Sequence, residues 1–246
     1  MKSALLFLPL LAAVLLPSCS HKVRPEESIR IAKSYAELTW QPEARHIRHG
    51  KDSRGIMVNT PDTTLKSTAT AKGYWKPGSS AVGVPYKWGG FDPPKSFLKG
   101  IAAGKKAGDI ATDQKIAYND AAISHESVGV DCSGFLSRCW KLSKHTSTPD
   151  LPDLCDRIAW EDVRMGDMIL RPGHVVLVHF KSGDNFLVYE AATIPTAKVR
   201  RRIVGIDELK RSNYLPWRYR FMAEPSAIKA PEWEESERLI QRHSPY

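Results

Sequence analysis

The chain has 246 residues, of which 42% are hydrophobic and 26% charged. This composition is sufficient for a hydrophobic core, and it excludes an intrinsically disordered or collagen-like chain. The formal net charge is +9, which fits a nucleic acid, an anionic membrane face or another anionic polymer. The sequence has no zinc-finger spacing, basic-zipper heptad or RNA-binding aromatic motif, so we expect no nucleic-acid partner.

The first twenty residues have the features of an export signal. A positive start at residues 1–3 precedes an apolar run at 4–16, which is too short to span a bilayer and is closed by small residues. Leu-Pro-Ser-Cys at 16–19 resembles a bacterial lipobox, in which Cys19 is lipidated and becomes the mature N-terminus. Acyl chains there would anchor the chain to a membrane of the cell envelope; cleavage without lipidation is the alternative. Ser20 follows Cys19 at the position where an aspartate often marks retention in the inner membrane. If the cell is Gram-negative, this residue therefore favours the outer membrane and periplasm.

Four segments follow from the pattern of the sequence. Residues 1–19 form the signal and lipobox, 20–80 an extension that packs on the core, 81–223 the main domain with an insertion at 92–128, and 224–246 a charged tail. Within the main domain the periodicity predicts a helix at 132–142 and then strands at 168–170, 174–180, 186–192 and 198–204, after an earlier helix at 28–40. A helix followed by a meander of strands indicates an α+β fold.

Asp-Cys-Ser-Gly at 131–134 opens the predicted helix of the main domain. A cysteine at a helix N-terminus faces the positive end of the helix dipole, which favours the reactive thiolate, so Cys132 is a candidate nucleophile. A nucleophilic thiol needs a base, and His174 begins a predicted strand. Glu190, on the returning strand, is the candidate residue that orients the histidine.

The sequence leaves the register of this hairpin open. If His174 pairs with Ala192, Glu190 lies on the same face as the histidine as its diagonal neighbour. If the register shifts by one residue, Tyr189 faces His174 instead. His179 is an odd number of residues from His174 on the same strand, so we expect it on the opposite face.

Four short motifs occur in an order that resembles a known family. They are Tyr-Lys-Trp-Gly-Gly at 86–90, Asp-Cys-Ser-Gly-Phe at 131–135, Met-Gly-Asp-Met at 165–168 and Gly-His-Val at 173–175. Together they resemble the NlpC-type family of papain-like cell-wall cysteine peptidases, over residues 81–192. The resemblance implies a small papain-like α+β core, in which a nucleophile helix packs against an antiparallel sheet.

The same resemblance implies a reaction. Family members hydrolyse amide bonds in peptidoglycan stem peptides, often between D-glutamate and a diamino acid. Cys132 would be the nucleophile, His174 the general base and then acid, and Glu190 the third polar residue. Asp131 and Ser133 match positions that hold a free amine of the peptide, Tyr86 matches an aromatic residue beside the nucleophile, and the Cys132 N–H would help to form the oxyanion hole.

Two departures from the family pattern bear on specificity. Forty-one residues separate Gly90 from Cys132, more than is typical of the family, so the insertion is expected to cover or reshape the cleft. The third polar position is Glu or Tyr, where the family often has His. A papain-like amidase or acyltransferase acting on another amide or lipid, and a non-catalytic wall-binding protein, remain alternative functions.

The other motifs have simpler interpretations. Cys139 and Cys155 either form a disulfide or remain two buried thiols. No paired Cys-x-x-Cys or His-x-x-x-His spacing is present, so we expect no metal or other cofactor. Residues 200–202 are three arginines, which form either a solvated face or a contact for anionic wall polymer or lipid headgroups. Asp131 is also a candidate helix cap, and no obligate protein partner is predicted.

Overall fold

The computed structural model describes residues 22–66 and 71–226, with positions 236, 238 and 239 of the tail. The predicted export signal and Cys19 lie outside the described residues, as does most of the charged tail. The helices are α1 (Pro25–Ala36), α2 (Pro94–Ala102), α3 (Asp113–Tyr118), α4 (Cys132–Cys139) and α5 (Ile206–Arg211). None of the helices in these ranges is long and apolar enough to span a bilayer.

The strands of the described residues form one main sheet and three small pairs. The small pairs combine β1 (Thr39–Trp40) with β4 (Ala81–Val82), β2 (His49–Lys51) with β3 (Met57–Asn59), and β5 (Lys106–Ala107) with β6 (Ser127–Val128). The main sheet comprises β7 (Cys155–Arg157), β8 (Met168–Arg171), β9 (His174–Ser182), β10 (Asn185–Ala192), β11 (Lys198–Gly205) and β12 (Leu215–Tyr219).

The main sheet is antiparallel throughout, in the order β11-β10-β9-β8-β12-β7. Helix α4 packs on β9 and β10, and α1 packs on α4. This arrangement confirms the predicted α+β class. The central strands are buried on both faces: Val175 and Leu177 contact the cluster beneath α4, while Val176 and Val178 belong to a second cluster on the other face.

Helix α4 is anchored at both ends. Its first turn is capped by the Asp131 carboxylate, which accepts a hydrogen bond from the Gly134 N–H at 2.6 Å. Phe135 meets Tyr35 of α1 edge to face, with 5.5 Å between the ring centroids, and Trp140, directly after the helix, stacks on Tyr219 at 4.9 Å. These contacts fix the position of Cys132 relative to the sheet.

The insertion at 92–128 contains α2, β5, α3 and β6, and it packs against the turn at 86–90. The Trp88 indole donates a hydrogen bond to the Asn119 carbonyl at 3.1 Å. Gly89 has a φ of 63°, and a Cβ built at this position would lie 2.3 Å from the Cδ1 of Ile123. The turn therefore requires glycine here both for its backbone conformation and for the approach of the insertion.

The structure has no disulfide between Cys139 and Cys155. Cys139 and Cys155 are free thiols. Cys139 ends α4 and Cys155 begins the edge strand β7, and each is buried in the hydrophobic core. Burial raises the pKa of Cys155 to about 12 and that of Cys139 well above its ordinary value, so both remain protonated.

A β-bulge in the β9–β10 hairpin sets the register that the sequence left open. Leu187 pairs with Phe180 and Val188 with Val178, which leaves His179 as the extra residue of the bulge. Extending this register along β9 places His174 opposite Ala192. Glu190 is therefore on the same face as His174, and Tyr189 is on the other face.

His179 itself occupies a site that disfavours its charged form. Its buried Nδ1 has no hydrogen-bond partner among the described residues, and its ring lies 5.6 Å from that of Tyr189. Burial, assisted by the charges of Arg201 and Lys33, lowers the pKa of His179 to about 4. The folded chain thus binds this proton less readily than the unfolded chain does.

We expect His179→Gln to reduce the acid sensitivity of the fold. In the wild type, protonation of His179 in the unfolded chain lowers the free energy of unfolding as the pH falls from 6.5 towards 4, by about 2 kcal/mol between pH 7.5 and 4.5. Glutamine has no such proton to bind. Urea unfolding of both proteins at these two pH values measures the difference, and an equal loss of stability in both would contradict it.

Candidate active site

Cys132 is the first residue of α4, and it is 6% exposed. Its Sγ lies 3.9 Å from the carbonyl oxygen of Gly173, the residue that precedes His174. Burial first, and then the charge of Asp131, raise the pKa of the thiol to about 12. Backbone hydrogen bonds, including that of Val175, lower the pKa by less. Desolvation of the thiol therefore opposes the thiolate that the helix N-terminus favours, and we expect Cys132 to rest as a neutral thiol.

His174 begins β9, and its imidazole is bound on one side. The Nε2 atom lies 2.9 Å from Oε2 of Glu190. Because an ionised carboxylate only accepts hydrogen bonds, Nε2 donates, and in the neutral form of the ring Nδ1 then carries the lone pair. Among the described residues, no hydrogen bond joins the His174 ring to the Cys132 thiol, which instead lies against the backbone carbonyl of Gly173.

Glu190 is the buried anion of the site, with 2% of its surface exposed. Its Oε1 accepts from Arg200 Nε at 2.9 Å and Nη2 at 2.6 Å, and from Arg202 Nε at 2.9 Å. Burial alone would raise the pKa of Glu190, but the hydrogen bond from His174 and the charges of His174, Arg202 and Arg200 hold it at about 2. Glu190 is thus a carboxylate with one oxygen reserved for the histidine.

The run of three arginines has a role that sequence reasoning missed. Arg200 lies directly opposite Glu190 in the β10–β11 ladder, and Arg202 lies opposite Val188. Their side chains point to the Glu190 face, whereas Arg201 between them is exposed. The prediction of a solvated or polymer-binding face is therefore wrong for Arg200 and Arg202, because both guanidinium groups are bound to Glu190. The sequence did contain a signal for this role. Arg200 and Arg202 are two residues apart on a predicted strand, so their side chains share one face.

A second polar cluster lies on the other side of Cys132. The Asp131 carboxylate accepts from Ser133 Oγ at 3.1 Å, and both of its oxygens lie 3.0 Å from His145 Nε2. Asp131 and Ser133 are both buried. Burial lowers the pKa of His145, but hydrogen bonding to Asp131 and its charge outweigh this and raise the pKa above its ordinary value. Sequence reasoning identified Asp131 and Ser133 and missed His145, which follows α4 in a loop without any motif.

Tyr86 lies beside these groups and is buried. Burial raises the pKa of Tyr86 far above the ordinary value, and the charge of Asp131 acts in the same direction; the Tyr86 hydroxyl is hydrogen-bonded to Thr193. Tyr86 therefore remains a neutral phenol next to the cysteine.

The fold and this site define an α+β chain with a cysteine at a helix N-terminus and a carboxylate-bound histidine next to it in the adjoining sheet. Comparison with known proteins adds no family: no protein-family model matches the chain, and no curated protein matches it significantly. Within 22–66, 71–226 and the few described tail positions, no three His, Cys, Asp or Glu side chains form a group that could hold a metal ion.

Proposed function

We propose that the chain is a papain-like cysteine peptidase of the NlpC type, which hydrolyses amide bonds in peptidoglycan stem peptides. One observation carries the proposal: a cysteine that opens a helix contacts the backbone directly before a histidine, and a buried carboxylate binds that histidine. A nucleophile, a base and an orienting anion in this arrangement are the components of thiol acyl transfer. The motif resemblance supplies the substrate class.

The reaction begins with transfer of a proton. Nδ1 of His174 accepts the proton of the Cys132 thiol as the sulfur attacks the carbonyl carbon of the scissile amide. The negative oxygen of the tetrahedral intermediate accepts a hydrogen bond from the backbone N–H of Cys132. Because the resting thiol is neutral, the base has to act in the same step as the attack.

Collapse of the intermediate breaks the C–N bond and releases the amine, which takes its proton from the His174 imidazolium. The product is a thioester on Cys132. Water then attacks the thioester and gives its proton to His174, and the acid leaves with regeneration of the thiol. Glu190 stays ionised throughout and holds His174 in the tautomer that leaves Nδ1 free.

Substrate recognition is assigned to the cluster beside the nucleophile. Asp131 supplies a buried carboxylate and Ser133 a hydroxyl, a pair suited to a free ammonium group of the stem peptide. Tyr86 contributes a neutral aromatic wall. We further propose that the protein is exported and anchored at the cell envelope through a lipid on Cys19, where the wall is within reach.

Digestion of isolated peptidoglycan and soluble muropeptides tests the proposal. We expect the purified protein to produce new amide-cleavage fragments in the mass spectrum, and Cys132→Ala to reduce their rate by at least about a thousandfold, since the nucleophile is lost. Cys155→Ala is the matched control because it removes another buried thiol away from His174, and it should retain activity. A folded wild-type protein that yields no fragments would refute the peptidase proposal.

A further inference from the structure

The carboxylate that is expected to receive a substrate ammonium is already occupied. Oδ1 of Asp131 accepts from Gly134 N–H, from Ser133 Oγ and from His145, whereas Oδ2 accepts from His145 alone. A carboxylate offers about four acceptor positions, so Oδ2 is where a ligand would bind. The imidazole of His145 therefore stands at the position that an ammonium group would take.

The backbone and a neighbouring ring hold His145 in this position. The next residue, Thr146, donates its N–H to Ser137 Oγ at 3.1 Å, and the same hydroxyl donates to the Thr146 carbonyl at 3.4 Å. The ring of His145 meets Phe91 edge to face, with 6.0 Å between the centroids. Its side chain is still 29% exposed, so a peptide at the protein surface can reach it.

Four groups from different segments set the charge of the ring. Asp131 and Ser133 face it from the start of α4, Asp120 of the insertion favours the cation, and Lys87 of the turn at 86–90 disfavours it. The effect of the two carboxylates is larger than that of burial and Lys87, so the pKa of His145 lies above its ordinary value. At mildly acid pH the ring is an imidazolium paired with Asp131.

On the basis of the proposed function, we propose that His145 is a specificity-determining residue that competes with the substrate's amino group for Asp131 and Ser133. The protonated ring neutralises Asp131 and opposes a second cation. The neutral ring can still donate a hydrogen bond to Asp131, but it no longer balances the negative charge of the carboxylate, so an ammonium group can displace it. The enzyme thereby accepts a free peptide amine only when His145 has lost its proton. A substrate whose amine is blocked does not enter this competition.

The competition predicts a pH dependence of substrate choice. A peptide amine stays protonated up to about pH 7.7, so at acid pH the amine keeps its charge and His145 is the group in the contact whose charge responds to pH. Below the pKa of His145, the preference for the free amine over its acetylated counterpart is expected to fall by up to about tenfold per pH unit. Titration of His174 or Cys132 affects both substrates and cancels in their ratio.

The test compares a stem tripeptide that has a free amino terminus with the same peptide acetylated. In the wild type, the ratio of the two kcat/KM values should rise steeply with pH, and in His145→Asn it should be flat and higher at pH 5. His125→Asn, which changes an exposed histidine of the insertion, should behave as the wild type. A flat ratio in the wild type, or an unchanged slope in His145→Asn, overturns the inference.

A second measurement needs neither turnover nor a His145 variant. In Cys132→Ala, binding of the free-amine peptide should lower the pKa of the His145 ring, followed by NMR, and the acetylated peptide should leave it unchanged. Absence of a shift on binding refutes the competition. If the shift occurs but the wild type hydrolyses neither peptide, the proposed peptidase activity fails and the amine subsite stands; if neither peptide binds, both fail.

Discussion

Glu190→Gln is expected to lower kcat/KM for the proposed hydrolysis by about three to four orders of magnitude, the size seen when the orienting carboxylate of a catalytic triad becomes an amide. The side chain keeps its shape and loses its charge. The loss arises because the amide dictates a different tautomer of His174.

Arg200 and Arg202 determine the orientation of the amide group in Glu190→Gln. Arg200 and Arg202 donate three hydrogen bonds to Oε1 of Glu190, and a guanidinium has no acceptor to offer. The amide oxygen therefore has to face the arginines, and the amide NH2 faces His174. Nε2 of the histidine must then accept, which places the ring proton on Nδ1 and removes the base for Cys132.

Arg201→Gln is the matched control, because it removes an arginine of the same strand whose side chain is exposed. It should keep activity within about twofold of the wild type, as is usual for an exposed position away from the chemistry. Circular dichroism and thermal unfolding establish that Glu190→Gln remains folded. Activity of a folded Glu190→Gln within tenfold of the wild type would show that Glu190 does not orient the catalytic base.

The periodicity of the sequence was sufficient for the elements that carry the site. The helix predicted at 132–142 is α4 (Cys132–Cys139), and the strands predicted at 174–180 and 186–192 are β9 and β10. These segments bury continuous apolar runs next to a turn rich in Gly and Asp, and such signals are local. The Asp131 cap is equally local and is confirmed.

The register of the β9–β10 hairpin could not be predicted from the sequence, because it depends on a single extra residue in β9. Ser182 pairs with Asn185 at the turn, and an uninterrupted ladder from that pair would place Tyr189 on the face of His174. The bulge at His179 absorbs one residue and places Glu190 there instead. The position of a bulge depends on how the strand packs in the folded protein. Neither the alternation of apolar and polar residues nor the composition of the turn specifies it.

Long-range contacts account for the other differences. His145 reaches Asp131 because the loop after α4 folds back on the helix start, and Arg200 and Arg202 reach Glu190 only through the β10–β11 pairing. The protonation of Cys132 depends on how deeply the helix start is buried, whereas the sequence displays only the favourable helix dipole. Each of these features requires the fold before it can be inferred.

The thiol of Cys132 is expected to react slowly with iodoacetamide in the substrate-free protein at pH 7.5. A pKa of about 12 in place of 9 reduces the thiolate fraction about a thousandfold. A more basic thiolate is more nucleophilic, with a Brønsted slope of about 0.4–0.5, which recovers a factor of about 15–30. The net rate should be about 30- to 60-fold below that of an ordinary cysteine.

The pH–rate profile, followed by mass spectrometry of the labelled peptide, separates two kinds of resting site. A neutral thiol predicts a labelling rate that rises tenfold per pH unit up to pH 10 without a plateau. Asp131→Asn should accelerate labelling, because it removes the carboxylate whose charge raises the pKa while keeping a residue able to cap α4. Cys155, which has a pKa of about 12 away from Asp131, is the internal reference and should not respond to that substitution.

A plateau near neutral pH would contradict this expectation and show that Cys132 rests as a thiolate paired with an imidazolium. The first step of the mechanism would then be direct attack, and Glu190 would serve chiefly to stabilise the charged His174. A rate without a plateau means that the substrate meets a neutral thiol, and that His174 has to remove the proton during the attack. In that case the tautomer set by Glu190, Arg200 and Arg202 governs the chemical step itself.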